Sequence, residues 1–160
     1  MNLDIVKADF SDSDHERDIR MLMDAYASDI MGGGEALGRE VKENLVKELS
    51  KLPYAFSLIA YSEGNPIGLV NCFEAFSTFL CKPLINIHDL VVIESYRGKG
   101  ISQRMLEKVE EIAKSKGCCK LTLEVLSGNV AAKSSYRKFG FDDYMLDPEA
   151  GSALFWQKKI

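Results

Sequence analysis

The sequence predicts a mixed α/β fold with elements in the order β-α-α-β-β-β-α-β-α-β-β. Short apolar runs rich in β-branched residues, typical of strands, alternate with segments whose apolar residues recur at helical spacing. The chain has 160 residues, of which 46% are hydrophobic and 28% charged, and this composition suits one domain with a single core. We therefore expect residues 1–160 to form one domain.

Composition argues against several classes of partner. The net charge is −4 and no long basic run is present, so we expect neither nucleic acid nor a membrane as a partner. The N-terminus lacks the basic and apolar segments of a secretory signal, which leads us to expect a cytoplasmic protein. Neither histidine completes a metal-ligand spacing with a cysteine, so we expect reduced thiols and no metal. The cysteines are Cys72, Cys81, Cys118 and Cys119.

The first part of the chain predicts a strand at residues 3–8 and then two helices. The first helix carries apolar residues at helical spacing from residue 19 to residue 30. Glycines 32–34 end it, because consecutive glycines are unfavourable in a helix. The second helix carries apolar residues at helical spacing from residue 37 to residue 49 and ends near Pro53. The glycine segment is either a mobile lid over a substrate or a plain interhelical loop.

The middle of the chain predicts a hairpin followed by the central strand. Its strands are residues 55–62 and 67–76, and a turn signal joins them. The next segment, residues 77–83, is an apolar loop that lines a pocket, forms a partner surface such as a homodimer contact, or belongs to the core. The central strand follows at residues 84–93. A glycine-bearing turn then leads into a helix that ends near residue 116.

The last part of the chain predicts a strand, a short helix and two further strands. The first strand, residues 120–126, contains the charged Glu124, which is notable because an unpaired buried carboxylate is unfavourable. The helix covers residues 130–139 and is stopped by a glycine. The final strands are residues 141–146 and 152–158.

The turn after the central strand has the composition of an anion site. The first turn of a helix leaves backbone N–H groups unpaired, and the helix dipole favours negative charge there. Glycines let a phosphate approach the backbone closely, and the basic side chains add positive charge. Gln103 stands where a dinucleotide-binding pattern would need its third glycine, so the glycines alone do not identify the ligand. The turn consists of Arg97, Gly98, Lys99, Gly100, Ile101 and Ser102.

This turn resembles the pyrophosphate-binding motif of the GNAT-type N-acetyltransferases, although Ser102 replaces the preferred Gly or Ala. A second segment resembles the other GNAT signature, Asn-x-x-Ala-x-x-x-Tyr-x-x-x-Gly-Phe. All its positions match: Asn129, Ala132, Tyr136, Gly140 and Phe141. The resemblance is strongest over residues 84–141. It implies the GNAT acyl-CoA N-acyltransferase fold, with splayed central strands, and acetyl-coenzyme A as the cosubstrate.

The resemblance also implies which residues bind the cosubstrate. The backbone at the end of the central strand pairs with the pantetheine arm, the N–H groups of the turn bind the pyrophosphate, and the second signature contacts the arm. The strand contributes Leu90, Val91 and Val92. The turn contributes Arg97, Gly98, Lys99, Gly100, Ile101 and Ser102. The second signature and its helix contribute Asn129, Ala132, Ser135 and Tyr136.

The resemblance makes Tyr136 the general acid that protonates the thiolate of coenzyme A as it leaves. The acceptor amine must be neutral to attack, so a base helps. Glu124 is the first candidate, because its Leu-Glu-Val setting resembles that of ribosomal-protein N-terminal acetyltransferases. His88 and Asp89 are rivals, and strand alternation predicts that they lie on opposite faces. Structural ion pairs or caps are the alternative roles for Glu124 and Asp89.

These predictions describe an enzyme that transfers the acetyl group of acetyl-coenzyme A directly to a primary amine of a small molecule. Acidic residues around the glycine segment attract a cationic acceptor or are solvated surface: Asp24, Asp29 and Glu35. The alternatives are a protein N-terminal or lysine acetyltransferase, and a module that binds acetyl-coenzyme A without catalysis. Retention of Tyr136 favours catalysis.

Overall fold

The computed structural model describes residues 2–160, which divide into two compact units, Met1–Leu123 and Glu124–Ile160. The first unit contains the strands β1 (Leu3–Lys7), β2 (Ala55–Ser62), β3 (Asn65–Ser77), β4 (Lys82–Val92) and β5 (Leu121–Leu123), and the helices α1 (Ser13–Ser28), α2 (Arg39–Leu49) and α3 (Ile101–Ser115). The second contains helix α4 (Val130–Phe139). A single domain over the whole chain stays a prediction. Within residues 2–160, every helix is too short or too polar to cross a membrane.

The first unit is built on one mixed sheet with the strand order β1-β2-β3-β4-β5. Neighbours from β1 to β4 are antiparallel, and β5 runs parallel to β4. Glu63 and Gly64 join β2 to β3 with φ angles of 50° and 81°, the two positive values that a tight hairpin turn of type I′ requires. The predicted α/β class and the predicted hairpin are confirmed.

Helices pack on both faces of the sheet. On one face, Ile19 and Leu22 of α1 and Val46 of α2 form a core with Ile59 and Leu69 of the strands. This core explains the helical spacing of the apolar residues in α1 and α2.

On the other face lies α3, which buries Ile101, Met105, Leu106, Val109 and Ala113. Gly68 of β3 gives this helix room, since a Cβ there would lie 2.9 Å from Sδ of Met105 and 3.1 Å from the carbonyl oxygen of Val91. Any larger residue at position 68 would therefore push α3 away from the sheet.

Strand β4 has two different halves. It pairs with β3 along its whole length, but its pairing with β5 covers three positions and ends at Ile87 opposite Leu123. Between Asp89 and Ile87 the register with β3 shifts, because His88 is an extra residue on β4 and forms a β-bulge. From His88 to Val92, β4 and β5 have thus separated, as the predicted splay requires.

The glycine segment folds back onto the end of α1. The N–H of Gly34 donates to the carbonyl of Asp29 at 2.9 Å, and the N–H of Glu35 donates to the carbonyl of Ala27 at 3.1 Å. The N–H of Leu37 donates to Oδ1 of Asp24 at 3.0 Å. These bonds support the interhelical loop over the mobile lid.

The tip of the β3–β4 hairpin is exposed, so the interpretation of its apolar residues as core is wrong. Phe76, Phe79 and Leu80 are 57%, 81% and 58% exposed. They lie beyond Phe73, the last residue of β3 that pairs with β2, and therefore have no third strand to cover them. A homodimer through this tip stays a prediction.

The two final predicted strands are also wrong. Residues 141–158 contain a short 3₁₀ turn at Pro148–Ala150 and one isolated bridge between Met145 and Ser152. A two-stranded ribbon is marginal in water unless a further strand or a helix covers it, and residues 142–160 are exposed. Alternation alone therefore does not produce a strand here.

Candidate functional site

The turn between β4 and α3 exposes the start of a helix. Gly98 and Gly100 adopt φ angles of 74° and 77°, which are left-handed conformations that favour glycine. The first hydrogen bond within the helix runs from the N–H of Arg104 to the carbonyl of Gly100, at 3.2 Å. The backbone N–H groups of residues 101–103 precede that bond. Nothing lies within 4 Å of a Cβ built on either glycine, so space is open on this side of the turn.

Electrostatics at the start of α3 favour an anion. Gly100 stands at the N-cap position and has no side chain that can pair with the helix N–H groups. The first turn of α3 carries no acidic residue, whereas that of α1 carries Asp14 and Glu16. The positive end of the α3 dipole is therefore not neutralised by the helix itself.

The two basic residues of the turn differ in their contacts. Arg97 donates from Nη2 to Oδ2 of Asp29 at 2.8 Å and from Nε to the carbonyl of Val92 at 3.0 Å. The hydrogen bond from Arg97 holds the pKa of Asp29 below its ordinary value. The Nζ atom of Lys99 lies 4.8 Å from the ring centroid of Tyr96. Arg97 thus fastens the turn to β4 and to the end of α1, and Lys99 is the exposed cation beside the turn.

A chain of hydrogen bonds crosses three strands at the β4 bulge. The hydroxyl of Ser57 on β2 donates to Oδ1 of Asn71 on β3 at 2.6 Å. The Nδ2 of Asn71 donates to Oδ2 of Asp89 on β4 at 3.0 Å, and it also lies 3.2 Å from Sδ of Met23. Ser57 and Asn71 are 1% and 3% exposed. The half-buried carboxylate of Asp89 is thus held from the interior of the sheet.

The prediction that His88 and Asp89 lie on opposite faces is wrong. The ring of His88 makes an edge contact with Phe73, with 5.3 Å between centroids, while Asp89 accepts from Asn71. Phe73 and Asn71 are two residues apart on β3, so their side chains share a face. The bulge inserts one residue into β4 and brings both side chains to that face.

The charge of Asp89 contributes to the raised pKa of two neighbouring side chains. Burial, followed by Asp89 and then Asp29, raises the pKa of Tyr26 on α1. Burial, followed by Asp89, raises the pKa of the Cys72 thiol. Among the described residues 2–160, no ion pair includes Asp89, so Asn71 supplies the positive end of a dipole in place of a cation.

Helix α4, in the second unit, contains the second signature, whose residues complete both of its ends. Oδ1 of Asn129 accepts from the N–H of Ala132 at 3.1 Å, which caps the first turn. At the other end, Gly140 has a φ of 114° and donates to the carbonyl of Arg137.

The N–H of Phe141 donates to the carbonyl of Tyr136, and the two rings make an edge contact with centroids 6.0 Å apart. Together with the bond from Gly140, this is a Schellman C-cap with its hydrophobic contact. Tyr136 is half-buried on this helix.

Glu124 does not lie inside a strand. β5 ends at Leu123, and Glu124 is exposed. The prediction of a charged residue within a strand over residues 120–126 is wrong, since the pairing of β5 with β4 stops at Leu123.

Sequence reasoning missed Asn71, Ser57 and Tyr26. A signal for Asn71 was present, because it is a polar residue within the apolar run that predicts β3. Buried polar groups in such a run are hydrogen-bonded, so a polar partner on a neighbouring strand was to be expected. Which partner it would meet depends on the register, which the run does not specify.

The model of the Acetyltransferase (GNAT) family matches residues 19–141, and the chain belongs to this family. Within residues 2–160, no three histidine, cysteine, aspartate or glutamate side chains cluster closely enough to hold a metal ion.

Curated relatives carry several acetyltransferase names. The chain is similar to "Thialysine N-epsilon-acetyltransferase" of Bos taurus, with 41% identity over 59 residues, or 37% of this chain and 35% of that protein. It is 31% identical over 86 residues to "Uncharacterized N-acetyltransferase YhfO" of Bacillus subtilis, or 54% and 58% of the two chains. The chain thus matches less than two thirds of either relative.

A solved structure confirms the fold over the full length. The structure of AAC(6')-Iy in complex with the bisubstrate analog CoA-S-monomethyl-acetylneamine has a TM-score of 0.76 and 17% identity. The superposition covers 100% of this chain and 100% of that chain. At this identity the likeness shows the GNAT fold, as predicted.

Proposed function

We propose that the protein is an N-acetyltransferase that moves the acetyl group of acetyl-coenzyme A to a primary amine of a small molecule. The uncapped start of α3 is the observation that carries this proposal. The first turn of α3 carries no acidic residue, and the space beside Gly98 and Gly100 is open, which suits a diphosphate at the positive end of the helix dipole. The part of β4 from His88 to Val92 precedes that turn, separated from it by the 3₁₀ helix Glu94–Tyr96, and has no partner from β5, so its backbone is suited to pair with the pantetheine arm.

The length of this free strand edge fits the cosubstrate. At about 3.3 Å per residue, Asp89 lies roughly 10 Å along β4 from Val92, so an arm that pairs with this part of the strand runs from Val92 towards Asp89. The thioester would then be near Asp89. Of the candidate bases, Asp89 is the one whose carboxylate a buried donor holds in place, and we assign it the role of base.

The reaction is a direct transfer. The neutral amine attacks the carbonyl carbon of the thioester, a C–N bond forms, and the C–S bond breaks. Asp89 accepts the proton that the amine loses. Tyr136, the acid of the family signature, gives a proton to the thiolate, because a phenol retains its proton at neutral pH.

A small cationic acceptor agrees with the charges around β4. Asp24 is paired with Lys42 and Asp29 with Arg97, so the predicted attraction by these carboxylates is largely neutralised. The charge of Asp89 is balanced by a dipole only, and this favours an ammonium group as its ligand. The names of the thialysine and AAC(6')-Iy relatives refer to amine-bearing small molecules.

A protein N-terminus is the second candidate acceptor. The chain is 24% identical over 121 residues to "Putative [ribosomal protein bS18]-alanine N-acetyltransferase" of Bacillus subtilis, which covers 72% of this chain and 76% of that protein. An acceptor panel therefore needs an alanine-terminated peptide beside lysine analogues, diamines and aminoglycosides.

We also infer a cytoplasmic location, because all four cysteines are free thiols, as in reducing compartments.

Release of free thiol from acetyl-coenzyme A, measured with that panel, tests the proposal. We expect turnover with at least one small amine. Tyr136→Phe should lower kcat by about 10²–10⁴-fold, the usual contribution of a positioned acid, and leave coenzyme A affinity within about threefold. The matched control is Tyr54→Phe, which removes an exposed hydroxyl but keeps the ring contact with Phe73.

Three results would contradict this proposal or a part of it. Binding of acetyl-coenzyme A without thiol release for any amine would identify a binding module. Equal turnover by wild type and Tyr136→Phe would remove Tyr136 from the mechanism. Preference for the alanine-terminated peptide would replace the small acceptor by a protein one.

A further inference from the structure

Asn71 is a polar residue in the interior of the sheet. It is 3% exposed, and the other residues of β3 from Ile67 to Cys72 are apolar. A buried carboxamide is unfavourable unless its oxygen and its nitrogen both have partners. Asn71 has a partner at each end, and one of them is the carboxylate that we assign as base.

The chemistry of the three groups fixes the direction of this chain. An ionised carboxylate only accepts hydrogen bonds, so the NH₂ end of Asn71 must face Asp89. The oxygen end then faces β2, where the hydroxyl of Ser57 donates to it at 2.6 Å. Asp89 thus sets the orientation of Asn71, and the hydroxyl of Ser57 completes it by donating to the amide oxygen.

This contact matters because of the bulge. A bulge disrupts the strand pairing locally and brings two adjacent side chains to the same face. The backbone alone therefore does not determine whether His88 or Asp89 is placed to act as the base for the acceptor amine. The His88 ring lies against the ring of Phe73. Asp89 is held by a hydrogen bond from the side chain of Asn71, which fixes the position of its carboxylate.

We propose that Asn71, anchored by the hydrogen bond from Ser57, is a positioning residue that holds Oδ2 of Asp89 so that Oδ1 receives the proton of the acceptor amine. The inference rests on the proposed function, in which Asp89 is the base. The proton leaves the attacking nitrogen as the C–N bond forms, resides on Oδ1, and passes to water after the product leaves. Asn71 itself exchanges no proton.

A double-mutant cycle with Asn71→Leu and Asp89→Asn tests this role under saturating acetyl-coenzyme A. We expect Asp89→Asn to lower kcat by about 100-fold, and Asn71→Leu by about 10-fold with KM for the amine within about threefold. In the Asp89→Asn background, Asn71→Leu should change kcat by less than about twofold, because its target is already gone.

The matched control is Asn86→Leu. Asn86 lies on β4 and, like Asn71, donates a hydrogen bond from its side chain to a neighbouring strand, to Oγ1 of Thr122 at 3.1 Å. It has no bond to Asp89. Its loss should lower kcat by less than about threefold in either background. Ser57→Ala keeps the test possible if Asn71→Leu does not fold. It should lower kcat by about threefold to tenfold, again only when Asp89 is present.

The outcomes separate this inference from the proposed function. Equal losses of kcat from Asn71→Leu with and without Asp89 would mean a structural role and overturn the inference. Wild-type turnover in Asp89→Asn would overturn it as well, while thiol release and the Tyr136→Phe defect would still support the transferase. Absence of turnover in the wild type would contradict both the proposed function and this inference.

Discussion

Helices α3 and α4 each begin at a signature residue, but their first turns are completed in different ways. In α4, the side chain of Asn129 accepts a hydrogen bond from the N–H of Ala132, so the protein itself caps the helix. In α3, Gly100 occupies the equivalent position and offers no side chain. A helix start that carries no cap of its own leaves backbone donors for a ligand.

Helix α1 is capped by a side chain, as α4 is, whereas α2 also begins at a glycine, Gly38, with no side-chain cap but with the acidic Glu40 in its first turn. The carboxylate of Asp12 caps α1 through the N–H groups of Asp14 and His15 at 2.8 and 3.1 Å. Helices α1 and α4 thus use a side-chain oxygen where α3 has glycine. The comparison thus distinguishes two kinds of signature residue. Gly100 leaves the start of α3 without a side-chain cap, where we expect a ligand, whereas Asn129 stabilises the start of α4.

The second signature belongs mostly to the second kind. Asn129 caps the start of α4, and Gly140 and Phe141 complete its Schellman end. That cap uses the carbonyl and the ring of Tyr136. The tyrosine hydroxyl has no role in the cap, and it is the group to which we assign chemistry.

The largest expected effect comes from closing the open start of α3. Gly100→Asp places a carboxylate where we assign the diphosphate, and like charges in contact repel. We expect the affinity for coenzyme A, measured by calorimetry, to fall by at least about 100-fold, which corresponds to roughly 2.7 kcal/mol. Normal binding by this variant would show that the phosphates lie elsewhere.

Gly64→Asp is the matched control for Gly100→Asp. Gly64 also has a positive φ, of 81°, and nothing lies within 4 Å of a Cβ built on it. The same backbone strain is thus introduced in the β2–β3 turn. We expect Gly64→Asp to lower the free energy of unfolding by about 1 kcal/mol and to leave coenzyme A affinity unchanged.

The contrast between α3 and α4 was largely predictable from sequence, because caps and turns depend on neighbouring residues. Glycine at the start of α3, asparagine at the start of α4, and the apolar stripe from Ile101 to Ala113 are all local signals. The predicted helix after the glycine-bearing turn is confirmed, and its predicted end near residue 116 lies one residue past Ser115.

The polar chain at Asp89 was not predictable, because it depends on pairing between distant strands. A one-residue bulge at His88 changes which side chains share a face, and no local pattern in residues 84–93 indicates it. The end of β5 at Leu123 has a similar cause, since a strand lasts only as long as its neighbour stays within hydrogen-bonding distance. The alternation of residues 120–126 therefore predicts a longer strand than the structure contains.

A smaller effect distinguishes the two possible roles of Asn129. Asn129→Ala should lower the free energy of unfolding by about 1 kcal/mol, because the cap is lost. Asn129→Asp keeps a good cap, so we expect its stability to change by less than about 0.5 kcal/mol. If the amide also contacts the pantetheine arm, Asn129→Asp should weaken coenzyme A binding by about fivefold, the value of one hydrogen bond.

Urea titrations and calorimetry on both Asn129 variants give these values. Unchanged coenzyme A affinity in Asn129→Asp would mean that Asn129 only caps α4. If Asn129→Asp lost as much stability as Asn129→Ala, the assignment of Asn129 as the cap of α4 would be wrong.

The smallest expected effect concerns how the open turn is held. The hydrogen bond from Arg97 and then that from the N–H of Met31 lower the pKa of Asp29 in the folded protein. The resulting stabilisation is complete above about pH 4, the unfolded pKa of aspartate, and disappears as pH falls through the lower folded value. Asp29→Asn should therefore lower the free energy of unfolding by less than about 1 kcal/mol at pH 7, and the difference from wild type should vanish in acid. Urea titrations at successively lower pH measure it, with Asp4→Asn on β1 as the control. A difference from wild type that stays constant as the pH falls would show that Arg97 does not stabilise the turn through the charge of Asp29.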